Sequence, residues 1–296
     1  MRNKIKNLLR FAAVAAFSAG TAYAAKSIPV DGHPESIAEE DDHYYIAVVG
    51  KKLEPTRKDG DGFIMKVNSR GKVVSPNAFP QVKLNAPKGA VVEDDILYVA
   101  DVDRIVGISL HSGAQVCVVD MASTGAQFLN DIVEDDDFLY VSATDINKIF
   151  RINMRSWKFE ELPLAEPLNA PNGLAVEDGF LYVGEYANDA DGQPSGKIKR
   201  IPLRGNTARP VSVVYDVPGQ YDGLVVREVE DLFGRETDYL YFSDWASKSV
   251  KRLNLKTGKA EIVTQTPVEG PADFIIEDDK LWLPAMAEQK VLIQTL

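Results

Sequence analysis

The sequence has a single cysteine, Cys117, and only three histidines. One cysteine excludes an intramolecular disulfide, and it also excludes a thiolate zinc cluster or an iron–sulfur cluster. Positive charge is scarce, because 33 Lys and Arg stand against 44 Asp and Glu and the net charge is −11. Nucleic-acid binding requires a basic surface, so no nucleic-acid partner is expected. The apolar fraction of 45% over 296 residues is nevertheless ordinary for a globular chain with a sizeable core.

The first 24 residues have the pattern of a secretory signal peptide. Four basic residues precede an apolar run over residues 11–17, and Ala-Tyr-Ala at positions 22–24 has small residues at the cleavage positions. The run is too short to span a bilayer, although an uncleaved interfacial anchor is the alternative. We expect cleavage to leave residues 25–296 as one exported domain, periplasmic or secreted. Cleavage removes four positive charges and no negative ones, which changes the net charge from −11 to −15.

A tetrad of residues recurs six times along the rest of the chain. Each tetrad ends on an apolar residue, and in five repeats an aromatic residue follows ten positions after the second member. Repeats of roughly 40–50 residues that contain four short strands are typical of propeller blades. Solenoid repeats are shorter, and a sandwich would not repeat six times. The tetrads are Pro34–Ile37, Pro87–Ala90, Leu129–Ile132, Pro171–Leu174, Tyr221–Leu224 and Pro271–Phe274.

The last repeat has room for only three strands after Phe274. The missing outer strand is predicted to come from Ser27–Val30, which would pair with Lys290–Thr295. Such pairing covers a sheet edge that would otherwise be open. The predicted fold is therefore all-β: a six-bladed β-propeller of four-stranded antiparallel blades, closed by an N-terminal strand that completes the last blade.

The second residue of each tetrad, here called an anchor residue, starts the innermost strand of its blade and should point into one mouth of the channel. Burying such polar groups without partners costs roughly 1–3 kcal/mol each. Carboxylate and amide oxygens are the ligands that hard cations prefer. A metal-free alternative places Lys88 between the two carboxylates and waters on the two amides. The anchor residues are Glu35, Lys88, Asn130, Asn172, Asp222 and Ala272.

With these residues in this order, the chain resembles the senescence-marker-protein, gluconolactonase and lactonase-like propellers of the strictosidine-synthase-like superfamily. The resemblance implies one divalent cation in the channel, calcium first, with zinc, magnesium or manganese as alternatives. Its ligands would come from blades one, three, four and five. Sugar-lactone members carry an arginine two residues before the third-blade Asn, but Phe128 stands there in this chain and indicates a more apolar substrate. The matching ligands are Glu35, Asn130, Asn172 and Asp222.

The residue chemistry and the resemblance together predict a divalent-metal-dependent hydrolase that acts on a small-molecule lactone or ester. A bound cation would polarise the carbonyl and activate a water. Asp222 is assigned as the general base, and Lys88 as the group that stabilises the oxyanion. Side chains on the loops after second strands should wall the substrate pocket together with Phe128, although packing between blades is the alternative for these residues. They are Tyr186, Trp245 and Met286.

A function of another class fits the same fold. A non-enzymatic exported propeller, similar to NHL-type propellers, would bind a ligand or a protein partner and hold at most a structural cation. A channel plugged by Lys88 paired with Glu35 and Asp222 would favour this alternative. No membrane span is predicted in the mature chain, and the sequence makes no prediction about the oligomeric state.

Overall fold

The protein is described by a computed structural model that covers residues 26–205, 208–230 and 234–296, and the predicted signal peptide lies outside these residues. The described residues form six four-stranded antiparallel sheets. Their only helices are single 3₁₀ turns at Ala122–Thr124, Thr144–Ile146 and Met286–Glu288. None of them has the length and hydropathy of a membrane-spanning helix. The predicted six-bladed all-β architecture is confirmed.

The chain builds its blades one after another, from the innermost strand outward. A single strand, β1 (Lys26–Pro29), comes first. The first blade contains β2 (Pro34–Glu40), β3 (His43–Val48), β4 (Phe63–Asn68) and β5 (Val73–Ser75). The second contains β6 (Pro87–Glu93), β7 (Ile96–Asp101), β8 (Arg104–Ser109) and β9 (Gln115–Asp120). The third contains β10 (Leu129–Asp135), β11 (Phe138–Ala143), β12 (Lys148–Asn153) and β13 (Phe159–Glu161).

The remaining blades follow the same order, with a different closure in the last. The fourth contains β14 (Pro171–Glu177), β15 (Phe180–Glu185), β16 (Gly196–Pro202) and β17 (Ser212–Gly219). The fifth contains β18 (Tyr221–Glu230), β19 (Glu236–Asp244), β20 (Ser249–Asn254) and β21 (Ala260–Ile262). The sixth contains β22 (Ile275–Glu277), β23 (Lys280–Ala285) and β24 (Lys290–Thr295), with β1 as its outer strand.

The aromatic residues that recur in the repeats pack between neighbouring blades. Tyr98, for example, belongs to the second blade and contacts a buried cluster that includes Leu139 and Ile152 of the third. Each blade therefore buries one face against the next, which gives the ring a core at every interface. All six aromatic side chains are 5% exposed or less: Tyr45, Tyr98, Tyr140, Tyr182, Tyr241 and Trp282.

The fifth repeat has extra charged residues before Tyr241, and they extend one β-hairpin. Strands β18 and β19 continue pairing as far as Glu230 opposite Glu236, beyond the length of the corresponding strands in other blades. The extra residues therefore delay Tyr241 in the sequence without displacing it from its place between blades. The Glu230–Glu236 pair lies at the far end of β18 from Asp222, so the extra strand pairs are on the opposite face from the anchor residues.

The ring closes through its N-terminal strand. Ser27 pairs with Leu292 and Ile28 with Val291, so β1 lies antiparallel to β24 and the predicted closure is confirmed. Ile28 is only 2% exposed, whereas Ser27 on the other face of the strand is exposed. The buried Ile28 packs in the cluster between the sixth and first blades. Closure therefore contributes apolar burial as well as strand pairing.

Substituting Ile28→Ala is expected to lower the free energy of unfolding by about 2–5 kcal/mol, because it leaves a cavity at the ring closure. Ser27→Ala in the same strand is the matched control and should change it by about 0.5 kcal/mol or less. Urea denaturation followed by circular dichroism measures both. Equal effects of the two substitutions would show that β1 does not hold the ring together through Ile28.

Candidate functional site

Five of the six anchor residues lie where the innermost strands break register, and the sixth, Ala272, precedes β22. In β14, Pro171 pairs with Glu185 and the next pair is Leu174 with Val183, so Asn172 is left out of the ladder. Similar shifts occur in β2, β6, β10 and β18. A β-bulge of this kind bends the strand and re-aims its side chains. The bulges thus explain how anchor side chains leave the plane of their sheet.

Neighbouring innermost strands come into backbone contact around the channel. A Cβ atom placed on Gly173 would lie 1.5 Å from the carbonyl oxygen of Asp222 in the next blade. A Cβ on Gly89 would lie 2.5 Å from the Cα of Asp131. Only glycine leaves room for such an approach. The close contact makes the channel narrow at the level of the anchor residues.

The six anchor residues form a buried ring, each 5% exposed or less. Two of its oxygens, Glu35 Oε2 and Asn172 Oδ1, are buried and have no hydrogen-bond partner among the described residues. Such orphaned acceptors are rare and costly in folded proteins. Carboxylate and amide oxygens are the donors that hard cations prefer, so the chemistry of these two orphaned acceptors suits such an ion. Among the described residues no group of three or more His, Cys, Asp or Glu side chains is arranged to hold a metal.

The carboxylates of the ring repel one another. Burial, followed by the charges of Asp222 and Asp273, raises the pKa of Glu35 well above its usual value. Burial and the charge of Asp273 raise the pKa of Asp222 to about 8, although a hydrogen bond from Trp245 opposes the shift. Both pKa values are raised, as expected for acidic groups that are buried close to one another. The Lys88 ammonium opposes the shift at Glu35 only in part, so the carboxylates of the ring favour binding of a cation or a proton.

Two carboxylates beside the anchor residues were not predicted as site residues, one of them buried (Asp131) and the other partly buried (Asp273). Asp131 and Asp273 directly follow the anchors Asn130 and Ala272, at positions where other repeats have glycine or serine. Burial is the main cause that raises the pKa of Asp273 to about 6. Burial, together with the charge of Asp273, also raises the pKa of Asp131. The irregular residue after the anchor was the only sequence signal for this pair.

Both of these carboxylates connect neighbouring blades. Asp131 Oδ2 accepts a 2.6 Å hydrogen bond from the backbone N–H of Leu174 in the fourth blade. Ser36 Oγ of the first blade donates a 2.6 Å hydrogen bond to Asp273 Oδ2 of the sixth. Buried backbone donors need such acceptors. The geometry therefore supports a structural role for these two residues, at interfaces on opposite sides of the ring.

Lys88 is held by backbone carbonyls. Its ammonium donates hydrogen bonds to the carbonyl oxygens of Pro55, at 2.9 Å, and Ala86, at 2.8 Å. The ammonium also lies 5.3 Å from the ring centroid of Phe128. Burial lowers its pKa to about 8, and the charge of Glu35 is the largest opposing influence. Lys88 makes its hydrogen bonds to carbonyls, so the channel plugged by a Lys88 salt bridge is not the arrangement adopted by these residues.

The segment over residues 49–62, between β3 and β4, covers part of the ring. Its Pro55 carbonyl accepts the hydrogen bond from Lys88, and its Lys58 forms an ion pair with Asp103 of the second blade. A cavity of about 270 Å³ exists beside the sixth blade, but no anchor residue lines it. The hydrogen bond to Lys88 and the ion pair to Asp103 therefore tie this segment to the second blade.

Three of the four predicted pocket residues pack together, whereas Phe128 lies beside Lys88. Tyr186 contacts Trp245 edge to face, with ring centroids 5.7 Å apart and planes at 81°. Met286 is 5% exposed and belongs to a small apolar cluster against which Trp245 packs. Trp245 also reaches the ring itself, because its Nε1 donates a 2.7 Å hydrogen bond to Asp222 Oδ2. The cluster contains Val49, Ala86, Val102, Ala272 and Met286.

Comparison with known proteins was made at the level of sequence and of structure. No protein-family model matches the chain, and no curated protein matches it significantly. Solved structures match over nearly its whole length. This likeness establishes the fold. Virginiamycin B lyase from Staphylococcus aureus has a TM-score of 0.59 and 16% identity, covering 92% of this chain and 99% of its own.

Two further solved structures are similar to a comparable degree. A streptogramin B lyase has a TM-score of 0.60 and 16% identity, with 91% of this chain and 96% of that chain covered. A Bacteroides thetaiotaomicron protein of unknown function has a TM-score of 0.64 and 13% identity, with 91% and 72% covered. At such low sequence identities the comparison supports the propeller fold alone, and the function must be argued from the residues of the ring.

Proposed function

We propose that the protein is a divalent-metal-dependent hydrolase acting on a small lactone or ester at the mouth of the channel. The observation that carries the proposal is the pair of buried oxygens of Glu35 and Asn172 that have no partner among the described residues, in a ring whose carboxylates repel one another. The resemblance to gluconolactonase-like propellers supports it, since the ligand types occur in the same blades. The proposed ligands are Glu35, Asn130, Asn172 and Asp222, with calcium as the first candidate.

When bound, a divalent cation would supply Lewis acidity toward the scissile carbonyl and toward a water. Asp222 is the proposed general base. Its Oδ2 accepts the hydrogen bond from Trp245, which holds the carboxylate in one orientation for taking the proton from water. The apolar cluster with Met286 would exclude bulk water and contact the apolar part of the substrate.

Lys88 and Phe128 are proposed to act on the second-blade and third-blade side of the mouth. Because its ammonium is bound to Pro55 and Ala86, Lys88 would stabilise an oxyanion only after the segment over residues 49–62 has moved. Phe128, which lies beside that ammonium, would then offer an apolar surface to the substrate. We also propose that the protein acts after export, as the pattern of residues 1–24 indicates.

The low exposure of the ring favours a second candidate. All anchor residues are 5% exposed or less, as expected for a binding propeller whose cation only stabilises the channel. In that case the ligand or partner would bind the outer mouth, and no turnover would depend on Asp222. Two of the similar structures are named lyases. An enzyme of that class would use the ring to eliminate a group from its substrate rather than to add water.

Elemental analysis of protein purified without chelator is expected to find about one divalent cation per chain. A panel of alkyl lactones, sugar lactones and esters, assayed with calcium, zinc, magnesium or manganese and with EDTA, should give turnover that EDTA abolishes. Reaction in ¹⁸O-water distinguishes hydrolysis, which labels the acid product, from elimination, which leaves an unlabelled double bond. A metal-free protein with no turnover on the panel would contradict the proposal and favour the binding propeller.

A further inference from the structure

We propose that Trp245 is a positioning residue of the ring: its indole N–H holds one oxygen of Asp222 and orients the other toward the bound cation. The inference rests on the proposed function, because it assumes that Asp222 is a cation ligand. It assigns to Trp245 a task beyond that of a pocket wall. The decisive contact is the 2.7 Å hydrogen bond from Trp245 Nε1 to Asp222 Oδ2.

The backbone places the two residues side by side. Trp245 directly follows β19, and Asp222 is the second residue of β18, the strand paired with it. The N–H of Trp245 donates a 3.0 Å hydrogen bond to the carbonyl of Gln220, two residues before Asp222. The same hairpin therefore carries donor and acceptor, and their separation depends little on how the blades move against one another.

Packing also restricts the indole from two sides. Tyr186 of the fourth blade contacts it edge to face, and the apolar cluster with Val102 and Met286 packs against it. A ring confined in this way loses little conformational freedom when it donates its hydrogen bond. The hydrogen bond is therefore preorganised before any cation binds.

The hydrogen bond distinguishes Asp222 from the other carboxylate of the ring. Glu35 has one buried oxygen without any partner among the described residues, whereas Asp222 has its Oδ2 occupied by Trp245. An occupied Oδ2 stops the carboxylate from rotating and presents Oδ1 alone. Partners that orient a metal ligand in this way typically contribute 10–100-fold to metal affinity or activity.

Trp245→Phe tests the inference, because phenylalanine keeps an aromatic ring and removes the donor. Calorimetric titration of chelator-stripped protein with Ca²⁺ should show affinity reduced about 10-fold or more relative to the wild type. Trp157→Phe is the matched control, since Trp157 packs on Tyr98 and makes no contact with the ring. That control should bind Ca²⁺ with wild-type affinity.

A second measurement separates positioning from packing. Thermal unfolding of the cation-free proteins should give the same midpoint for Trp245→Phe and Trp157→Phe within a few degrees, while only the former loses Ca²⁺ affinity. If Trp245→Phe does not fold, benzothienylalanine at position 245 keeps a bicyclic ring of nearly the same shape and lacks the N–H. Reduced Ca²⁺ affinity in that protein supports the inference equally.

The possible failures are distinguishable. Wild-type protein that binds no divalent cation overturns the proposed function and this inference with it. Wild-type binding together with unchanged affinity in the variant lacking the N–H overturns the inference alone. Equal loss of cation affinity and of cation-free stability assigns Trp245 to packing and overturns the positioning role as well.

Discussion

The Asp222→Asn variant is expected to be inactive and yet, without cation, more stable than the wild-type protein. Burial and the charge of Asp273 raise the pKa of Asp222 to about 8, so the folded wild type binds a proton there more tightly than the unfolded chain does. Above the unfolded pKa of about 4, this residue therefore opposes folding. Asparagine keeps the shape and can still accept the hydrogen bond from Trp245, but it carries no charge.

The expected gain in cation-free stability at pH 8 is about 2–5 kcal/mol, and turnover should fall at least about 100-fold. Urea denaturation in EDTA and initial rates with saturating cation measure the two effects. Asp137→Asn, at an exposed carboxylate paired with Arg155, is the matched control and should change neither quantity appreciably. Loss of stability in Asp222→Asn would indicate a structural carboxylate and would contradict its role in a cation site.

As pH rises from 5 to 8, the free energy of unfolding of the cation-free protein is expected to fall. Calcium should raise this free energy more at pH 8 than at pH 5. Burial raises the pKa of Asp222 to about 8 and that of Asp273 to about 6, so the folded state holds more protons than the unfolded chain in this window. The free energy of unfolding then falls as pH rises. Lys88, whose pKa burial lowers to about 8, contributes in the opposite direction only above pH 8.

Thermal unfolding at the two pH values, with EDTA or with millimolar calcium, measures this prediction. Calcium at about 100 times its dissociation constant would add about 2.7 kcal/mol, which corresponds to a shift of roughly 5–10 °C at pH 8. Glu39→Gln is the control. Burial and a hydrogen bond to Glu277 raise the pKa of Glu39 to about 8 at the far end of β2. Removing the Glu39 carboxylate should reduce the pH dependence of stability and leave the calcium-induced shift of the unfolding midpoint unchanged.

Equal calcium shifts at pH 5 and pH 8 would mean that cation and protons do not compete for the same carboxylates. If calcium shifts the unfolding midpoint at neither pH, the proposed calcium site in the ring is wrong. That result would leave the assignment of the propeller fold unchanged. Zinc or manganese in place of calcium extends the measurement to the other candidate cations. Together with the Asp222→Asn variant, these experiments separate a cation site from a merely acidic channel.

The sequence predicted the propeller correctly because each blade is local in the chain. The hairpins join consecutive strands, so recurring tetrads and alternating apolar residues already describe the blade. In the fourth blade the tetrad that starts at Pro171 opens the innermost strand, Pro171–Glu177. The tetrad did not indicate the bulge, where Asn172 and Gly173 leave the ladder although the strand continues before them. A break in pairing is set by contacts across blades, which a local pattern does not contain.

The ring was less completely predictable than the fold. Recurrence indicated which six residues start the innermost strands, and the structure buries all six. It did not indicate that Asp131 and Asp273 interact with the carboxylates of the ring, because the same position has glycine or serine in the other repeats. Nor did it show that Lys88 would donate a hydrogen bond to the carbonyl of Pro55. Pro55 lies in a loop that is distant in sequence, so the repeat pattern does not contain this contact.

The sequence by itself determined the repeat, the number of blades, the closing strand and the six anchor positions. All of these follow from local periodicity and from the need to bury one face of every sheet. Only the tertiary structure decided which polar atoms find partners: Trp245 on Asp222, carbonyls on Lys88, and none among the described residues on Glu35 Oε2. Hydrogen bonds are directional and short-ranged, so they depend on three-dimensional positions that blade periodicity alone does not specify.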